Sequence, residues 1–329
     1  MAENGVRSRV KCRIGFVGTG GVATRHARFV ATFDDAEIVA VIDLDHDRAA
    51  TFAHAHGGRA VPDVAALIDA GVDAVYVCVP PYAHGEAERA LADAGVALFV
   101  EKPLALDVPT AQQISDRIAA AGVVSRVGHH WRCAEPVRGA RDLLAGRTVR
   151  QVSGYWLDKV PPVPWWTDRA RSGGPLVEQA VHVLDLARVL VGEVDEVYAL
   201  SAGPPQGGTT DVATSGVLRF ACGAVGTVST TCALAGKLRA GLEIVADGLV
   251  VGIGEDRLHV GDGISTRRRR FDPAIARRAA DREFLDAVRG DGSPPAPLGL
   301  PDHAEALRSH RLACALATSV GTRVPEEAR

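Results

Sequence analysis

Paired cysteines are missing from this chain. Its six cysteines stand at 12, 78, 133, 222, 232 and 314, none forms a C-x-x-C pair, and no Cys/His spacing suits zinc. That argues against a disulfide scaffold or a metal module and reads as reduced thiols in a cytoplasmic protein. No apolar run reaches membrane-spanning length, and the opening MAENGVRSRVK is polar, with no signal-peptide core. Strong charge of either sign is also lacking. A net charge of −3 gives no reason to expect nucleic acid or an acidic membrane as partner. The local exception, Arg267–Arg270, reads as a solvated strand or turn, with a patch for a phosphorylated substrate as the alternative. There is no internal repeat and no long low-complexity segment. What is present is ordinary for a globular protein: 329 residues, 47% hydrophobic and 23% charged, enough for two domains with their own cores.

The first third alternates strand and helix. CRIGFVG, EIVAVID, AVYVCV, ALFVEK and VVSRVG are short, nearly continuous apolar runs, with helical patterns over about 21–32, 47–56, 83–94 and 109–121 between them. Such β-α units predict a parallel sheet covered on both faces. Near residues 126–130 the pattern changes. A helix over about 135–145, a long strand at TVRQVSGYWLD and an irregular stretch KVPPVPWWTDRARSGG come next. After a further helix, alternating segments from DEVYALSAG to GLVVGIG predict an open, mostly antiparallel sheet. Two helices, about 274–289 and 302–319, close the chain and are free to pack back on the first domain. The expected division is therefore 1–128 and 129–329, α/β followed by α+β.

GTGGVA, Gly18 to Ala23, follows the first strand and opens a helix, with the form G-x-G-x-x-A. Gly18 permits the tight turn, Gly20 lets the backbone approach a pyrophosphate, and free N–H groups at the helix start hold it. Asp43 ends the second strand 23 residues after Gly20, where a carboxylate binds the adenosine ribose diol. Leu44 follows, with no adjacent arginine for a 2′-phosphate, which favours NAD over NADP. In VEKPLA, Glu101-Lys102-Pro103 ends another strand at the edge where open α/β folds bind ligands.

The helix within SGGPLVEQAVHVLD is a further signal. At about 100° per residue, Glu178, His182 and Asp185 share one stripe on a helix otherwise surrounded by Leu and Val. Ionisable groups on so apolar a helix are either paired or used. A buried His–carboxylate pair tying the core together is the simpler reading; an acid/base site is the sharper one.

Together these residues resemble the glucose-fructose oxidoreductase and inositol dehydrogenase (Gfo/Idh/MocA) family over nearly the whole chain. The resemblance rests on GTGGVA, VCVPPYAH, VEKPLAL, GHHWRCAEP, the SGG…H…D helix, the CGAVGT turn and the terminal ATSVGTRV. It implies an N-terminal Rossmann domain, an NAD(P)-dependent dehydrogenase acting on a secondary alcohol of a sugar, cyclitol or amino sugar, and a homodimer or homotetramer built through the second sheet. It also implies that Lys102 lies between nicotinamide and substrate and that His182 accepts the proton. Glu178 stands where the family normally has an Asp that orients the histidine; Asp185 is read as a structural partner. Around the cofactor it places Gly18, Thr19, Gly20, Gly21, Val22, Asp43, Leu44, Pro80, His84, Glu101 and Lys102. Around a polyhydroxylated substrate it places Lys102, His130, Trp131, Glu178 and His182; Trp165 and Trp166 are read from their chemistry as aromatic faces for a sugar ring, with ordinary core filling as the alternative. Other relatives imply other outcomes: redox-neutral glycoside processing with retained NAD, reduction of an imine or enone, or NAD binding without catalysis.

Overall fold

The computed structural model describes residues 11–204, 208–290, 298–322 and 326–327. The polar N-terminal segment and most of the Gly/Pro-rich connection after residue 290 lie outside them.

Strand β1 (Cys12–Val17) leads into α1 (Gly21–Val30), then β2 (Ala36–Ile42), α2 (His46–His56), β3 (Arg59–Ala60) and α3 (Val64–Asp69). The second half of this layer is β4 (Ala74–Val77), α4 (Glu86–Asp93), β5 (Ala97–Val100), α5 (Val108–Ala121) and β6 (Ser125–Val127). All six strands are parallel, in the order β3-β2-β1-β4-β5-β6, a doubly wound Rossmann sheet. β4 and β5 are buried along their whole length, so their sequences show no alternation. Helix starts are set by aspartates: Asp45, Asp63 and Asp107 accept backbone N–H bonds at the caps of α2, α3 and α5.

After α6 (Glu135–Leu144) come β7 (Val149–Leu157), α7 (Arg169–Ser172), α8 (Pro175–Glu178) and α9 (Val181–Val191). The second sheet continues with β8 (Val194–Ser201), β9 (Ala213–Phe220), β10 (Val225–Thr231), β11 (Arg239–Ala246), β12 (Leu249–Gly254), β13 (Arg257–Gly261) and β14 (Thr266–Arg270). Helices α10 (Pro273–Arg289) and α11 (His303–Thr322) follow, and β15 (Glu326–Glu327) adds one edge. The nine-stranded order is β14-β13-β12-β11-β7-β10-β9-β8-β15, antiparallel except for β7 against β10. β9 alternates buried and exposed residues, so this sheet has one dry face. That face is pressed by α9: a Cβ on Gly154 would come within 2.7 Å of Val183. The four arginines form the exposed edge strand β14, where charge discourages edge-to-edge pairing. Among the described residues no helix is long and apolar enough to cross a membrane.

Helix α10 returns to the first sheet. Phe284 sits 5.4 Å from the Tyr76 ring and 5.5 Å from Phe99, and Ala280 and Leu285 join the same core. Beside them His26 on α1 donates to Asp281 of α10 at 2.6 Å and to Glu101 at 2.9 Å. Burial alone would lower the His26 pKa, but these carboxylates outweigh it and raise it to about 9. Helix α11 spans both cores, with Ala306 and Leu307 in the first and Leu312, Ala313 and Leu316 in the second.

Candidate active site

The glycine turn is built for a close-approaching ligand. Gly18 has φ +84, and a Cβ there would lie 2.5 Å from the Cys78 carbonyl oxygen, so only glycine fits. Gly20 caps α1 with no side-chain partner, and a Cβ on Gly20 or Gly21 would meet nothing within 4 Å. The first N–H groups of α1 thus face open space of the kind a diphosphate occupies. Val22 borders the same turn and is partly exposed. Thr19 is buried; its N–H and hydroxyl both donate to Asp43 Oδ2 at 2.8 Å. Burial works to raise the Asp43 carboxyl, but bonds from Arg48, the Asp45 amide and Thr19 lower it to about 2. Leu44 is 93% exposed beside it. These residues fit a dinucleotide.

No arginine adjoins Asp43 in the sequence, but the fold brings one to it. Arg48, in the first turn of α2, brings its guanidinium onto both oxygens of Asp43. The helix wraps a residue five positions on back over the strand end, which adjacency in sequence does not reveal.

Lys102 follows β5 at the carboxyl edge of the parallel sheet, with a cis peptide to Pro103. Its Nζ donates to Glu178 Oε1 at 2.9 Å and to the Glu178 carbonyl at 2.8 Å. Lys102 and Glu178 keep side-chain exposures of 16% and 17%, so solvent still reaches the pair. Glu101 turns the other way, accepting from His26 and from the Lys102 amide. Burial raises its carboxyl, and the bond and charge of His26 outweigh that and bring it to about 2. Pro80 precedes a short turn at the end of β4, on the same edge.

The helix expected through 178, 182 and 185 is interrupted, and the expected Glu178–His182 pair does not form. The N–H groups of Gln179 and Ala180 both reach the Pro175 carbonyl, at 3.0 and 2.9 Å. The second of these is an i→i+5 bond, the widened π-type turn found where a helix is locally re-aimed. The extra residue rotates Glu178 off the His182 stripe and ends α8. Gly173 and Gly174, at φ +73 and +84, and Pro175 at the first helical position make that isolated turn possible.

His182 instead lies under rings. Trp131 stacks on it at 6.0 Å and Trp156 at 5.9 Å, while His129 and His130 meet it edge-on at 5.7 and 5.1 Å. It is 4% exposed, and its Nδ1 is buried without a partner among the described residues. Burial first, then the charge of Lys102 and the His130, His129 and Lys237 groups, push its pKa well below the ordinary value. His182 is therefore a neutral imidazole.

Several expected residues sit in different surroundings. His84 is not turned to the cofactor edge: its side chain is fully buried, 2.5 Å from Glu88, because α4 folds over it. Trp166 is only 1% exposed and donates to Glu178 Oε2 at 3.3 Å, so it supports the carboxylate from below instead of facing a substrate. Trp165 is half-buried in the turn before α7. Trp131 is buried and touches His182. His130 borders a small crevice with Trp131, Glu255 and Arg277; burial brings its pKa to about 3. Asp185 is clamped by Arg132 at 2.7 and 2.6 Å and by Ser309 at 2.7 Å. Burial works to raise its carboxyl, but His129 and Arg132 outweigh it, which fits a structural role.

Lys237, from the loop between β10 and β11, was not foreseen. Its Nζ lies 4.0 Å over the Trp156 ring and pairs with Glu255 at 2.6 Å. No motif surrounds it, so only the folded sheet brings it to the histidine. Arg171 of α7 donates to the Tyr82 hydroxyl at 2.6 Å and lies 4.4 Å from the ring, tying the second domain to the turn after β4.

Residues 12–129 match the model of an oxidoreductase family with an NAD-binding Rossmann fold, and residues 145–248 match the GFO/IDH/MocA C-terminal domain. Myo-inositol 2-dehydrogenase of Thermotoga maritima is 31% identical over 67% of this chain and 68% of its own length. 1,5-Anhydro-D-fructose reductase of Ensifer adhaerens is 30% identical over 86% of this chain and 90% of its own. A levoglucosan dehydrogenase solved with NADH is similar in fold, with a TM-score of 0.86 at 21% identity over 97% of this chain and 99% of that one. The two matched domains, in this order and on this fold, carry one conclusion: the chain belongs to the Gfo/Idh/MocA oxidoreductase family.

Proposed function

We propose that this protein is an NAD-dependent oxidoreductase that moves hydride between nicotinamide and a secondary alcohol or ketone of a sugar, cyclitol or amino sugar. The observation that carries the reading is Lys102. It sits at the carboxyl edge of the dinucleotide-binding sheet, hydrogen-bonded to Glu178 of the second domain, with neutral His182 beside the pair. Relatives named as an inositol dehydrogenase and an anhydrofructose reductase support the substrate class.

Bound NAD supplies the hydride acceptor; the chain's own residues do the rest. Residues 1–128 hold the cofactor and 129–329 the substrate, with α10 and α11 joining the two. Lys102 Nζ donates to the reacting oxygen and stabilises charge as the hydroxyl proton leaves. His182 Nε2 accepts that proton, which its neutral state permits. Glu178, fixed by Trp166, positions Lys102 and offers a second acceptor for a substrate hydroxyl. The Lys237–Glu255 pair over Trp156 supplies further donors and acceptors for a polyhydroxylated ring.

Six unpaired cysteines support a reducing, cytoplasmic setting. The exposed side chains of Leu200, Val217 and Val225 on the open sheet support a homo-oligomer through that face.

The test is NADH formation by the purified protein with NAD and a panel of cyclitols, sugars, amino sugars and nucleotide sugars. Lys102→Met runs alongside, with cofactor affinity measured separately. Turnover in the wild type, and its loss by orders of magnitude in the variant with NADH affinity kept, is expected. Near-wild-type turnover in Lys102→Met overturns the assignment.

A further inference from the structure

The carboxylate of Asp43 has no room for the ribose it is placed to bind. Oδ2 already accepts from the Thr19 amide, the Thr19 hydroxyl and Arg48 Nε, at 2.8, 2.8 and 3.0 Å. Oδ1 accepts from the Asp45 amide at 3.0 Å and from the terminal guanidinium nitrogen of Arg48. Five donors saturate the about four lone-pair sites of a carboxylate. Before a ribose hydroxyl can donate to Asp43, one of them must leave. The Thr19 and Asp45 amides are backbone, and the Thr19 hydroxyl is on a buried side chain. Arg48 is the movable donor: its side chain is 51% exposed, on a flexible stem in the first turn of α2.

We propose that Arg48 sets the cofactor specificity of this protein, withdrawing from Asp43 to admit a 2′-hydroxyl and pairing with the phosphate when a 2′-phosphate enters instead. The inference rests on the dinucleotide reading of the site. The same guanidinium that competes with NAD for the carboxylate is a forked donor matched to a phosphate, at the distance of one side chain from the ribose position. Asp43 alone would repel a 2′-phosphate; Arg48, which also lies 3.7 Å from the Asp45 carboxylate, offsets part of that repulsion. The wild type is therefore expected to bind both NADH and NADPH, with NADPH no more than about a hundredfold weaker.

The experiment is direct titration of purified wild type, Arg48→Ala and Arg48→Gln with NADH and NADPH by nicotinamide fluorescence. ADP-ribose and its 2′-phosphate serve as calorimetric probes that carry no nicotinamide. Both variants are expected to lose NADPH affinity about tenfold or more, the loss of a charge-assisted contact. NADH affinity should hold or rise two- to threefold as the competitor for Asp43 disappears. Wild-type NADPH binding should weaken with added salt more steeply than NADH binding. An NADPH/NADH affinity ratio unchanged within twofold in both variants overturns the proposal, and Arg48 is then only a brace for Asp43. A parallel fall in both affinities overturns it in the same way. Wild type that binds NADH but not NADPH overturns it while leaving the dinucleotide reading intact. Wild type that binds neither overturns both.

Discussion

Acid should unfold this protein through histidines that the fold buries uncharged. His129, His303 and His310 are each pushed down by burial from the ordinary 6.5 to about 4. Among the described residues His303 has neither ring nitrogen bonded, and His310 reaches the Asp107 carbonyl, at 3.3 Å, and Cys314. Below pH 6.5 the unfolded chain binds these protons and the folded chain does not. Their stabilising contribution is complete above pH 6.5 and falls away as pH drops toward 4. Between pH 7 and pH 5 each loses about 1.8 kcal/mol, about 5.5 kcal/mol for the three. His26 works in the opposite sense. Raised to about 9, it contributes fully below pH 6.5, and its contribution is lost as pH rises toward 9. It returns about 0.8 kcal/mol over the same acid interval. For these four groups the net loss is about 5 kcal/mol, to which the buried neutral His130 and His182 add, a large share of the ~5–15 kcal/mol stability of a typical domain. Urea unfolding followed by far-ultraviolet circular dichroism at pH 7, 6 and 5 measures it, with the midpoint falling at constant slope. His303→Met should reduce the loss between pH 7 and pH 5 by about 1.8 kcal/mol. A change of less than about 1 kcal/mol between pH 7 and pH 5 would refute the buried-neutral assignment.

Glu178→Gln keeps the shape of the Lys102 partner but removes its charge; turnover should fall about tenfold to a hundredfold, with the NADH dissociation constant unchanged within twofold, in a steady-state assay paired with titration. Gly18→Ala places a methyl 2.5 Å from a carbonyl oxygen at a positive φ. It should weaken NADH binding at least tenfold and destabilise by about 2 kcal/mol, read by titration and urea unfolding. Asp281→Ala leaves the buried His26 with Glu101 alone and should destabilise by about 3 kcal/mol at pH 7, measured by the same denaturation.

The first domain was legible because its signals are local. Strands buried on both faces read as unbroken apolar runs, and aspartates stand where helices begin. Lys102 was legible because a Glu-Lys-Pro strand end is itself a local pattern. The stripe through Glu178, His182 and Asp185 was misread for one physical reason: periodicity assumes a regular helix, and one π-type turn at Gln179-Ala180 shifts everything before it. His84, Trp166 and Arg48 mark a second limit. Whether a polar or aromatic side chain faces a ligand or the interior depends on what folds over it. For Arg48 the clue was present, since five residues past a strand-end aspartate falls in the first turn of the next helix.

The return of α10 to the first sheet has a consequence for synthesis. The Rossmann sheet ends at residue 127, yet the partner of His26 and the Phe284 ring that closes its aromatic core belong to a helix starting at residue 273. A ribosome adding ~5–20 residues per second takes roughly 7–30 s to cover that interval. For that time the nascent first domain exposes the Tyr76–Phe99 face and carries a histidine lacking one of its two anions. A chain cut near residue 129 would hold that unfinished state permanently, so a fragment expressed to isolate cofactor binding needs α10 supplied, in line or by fusion.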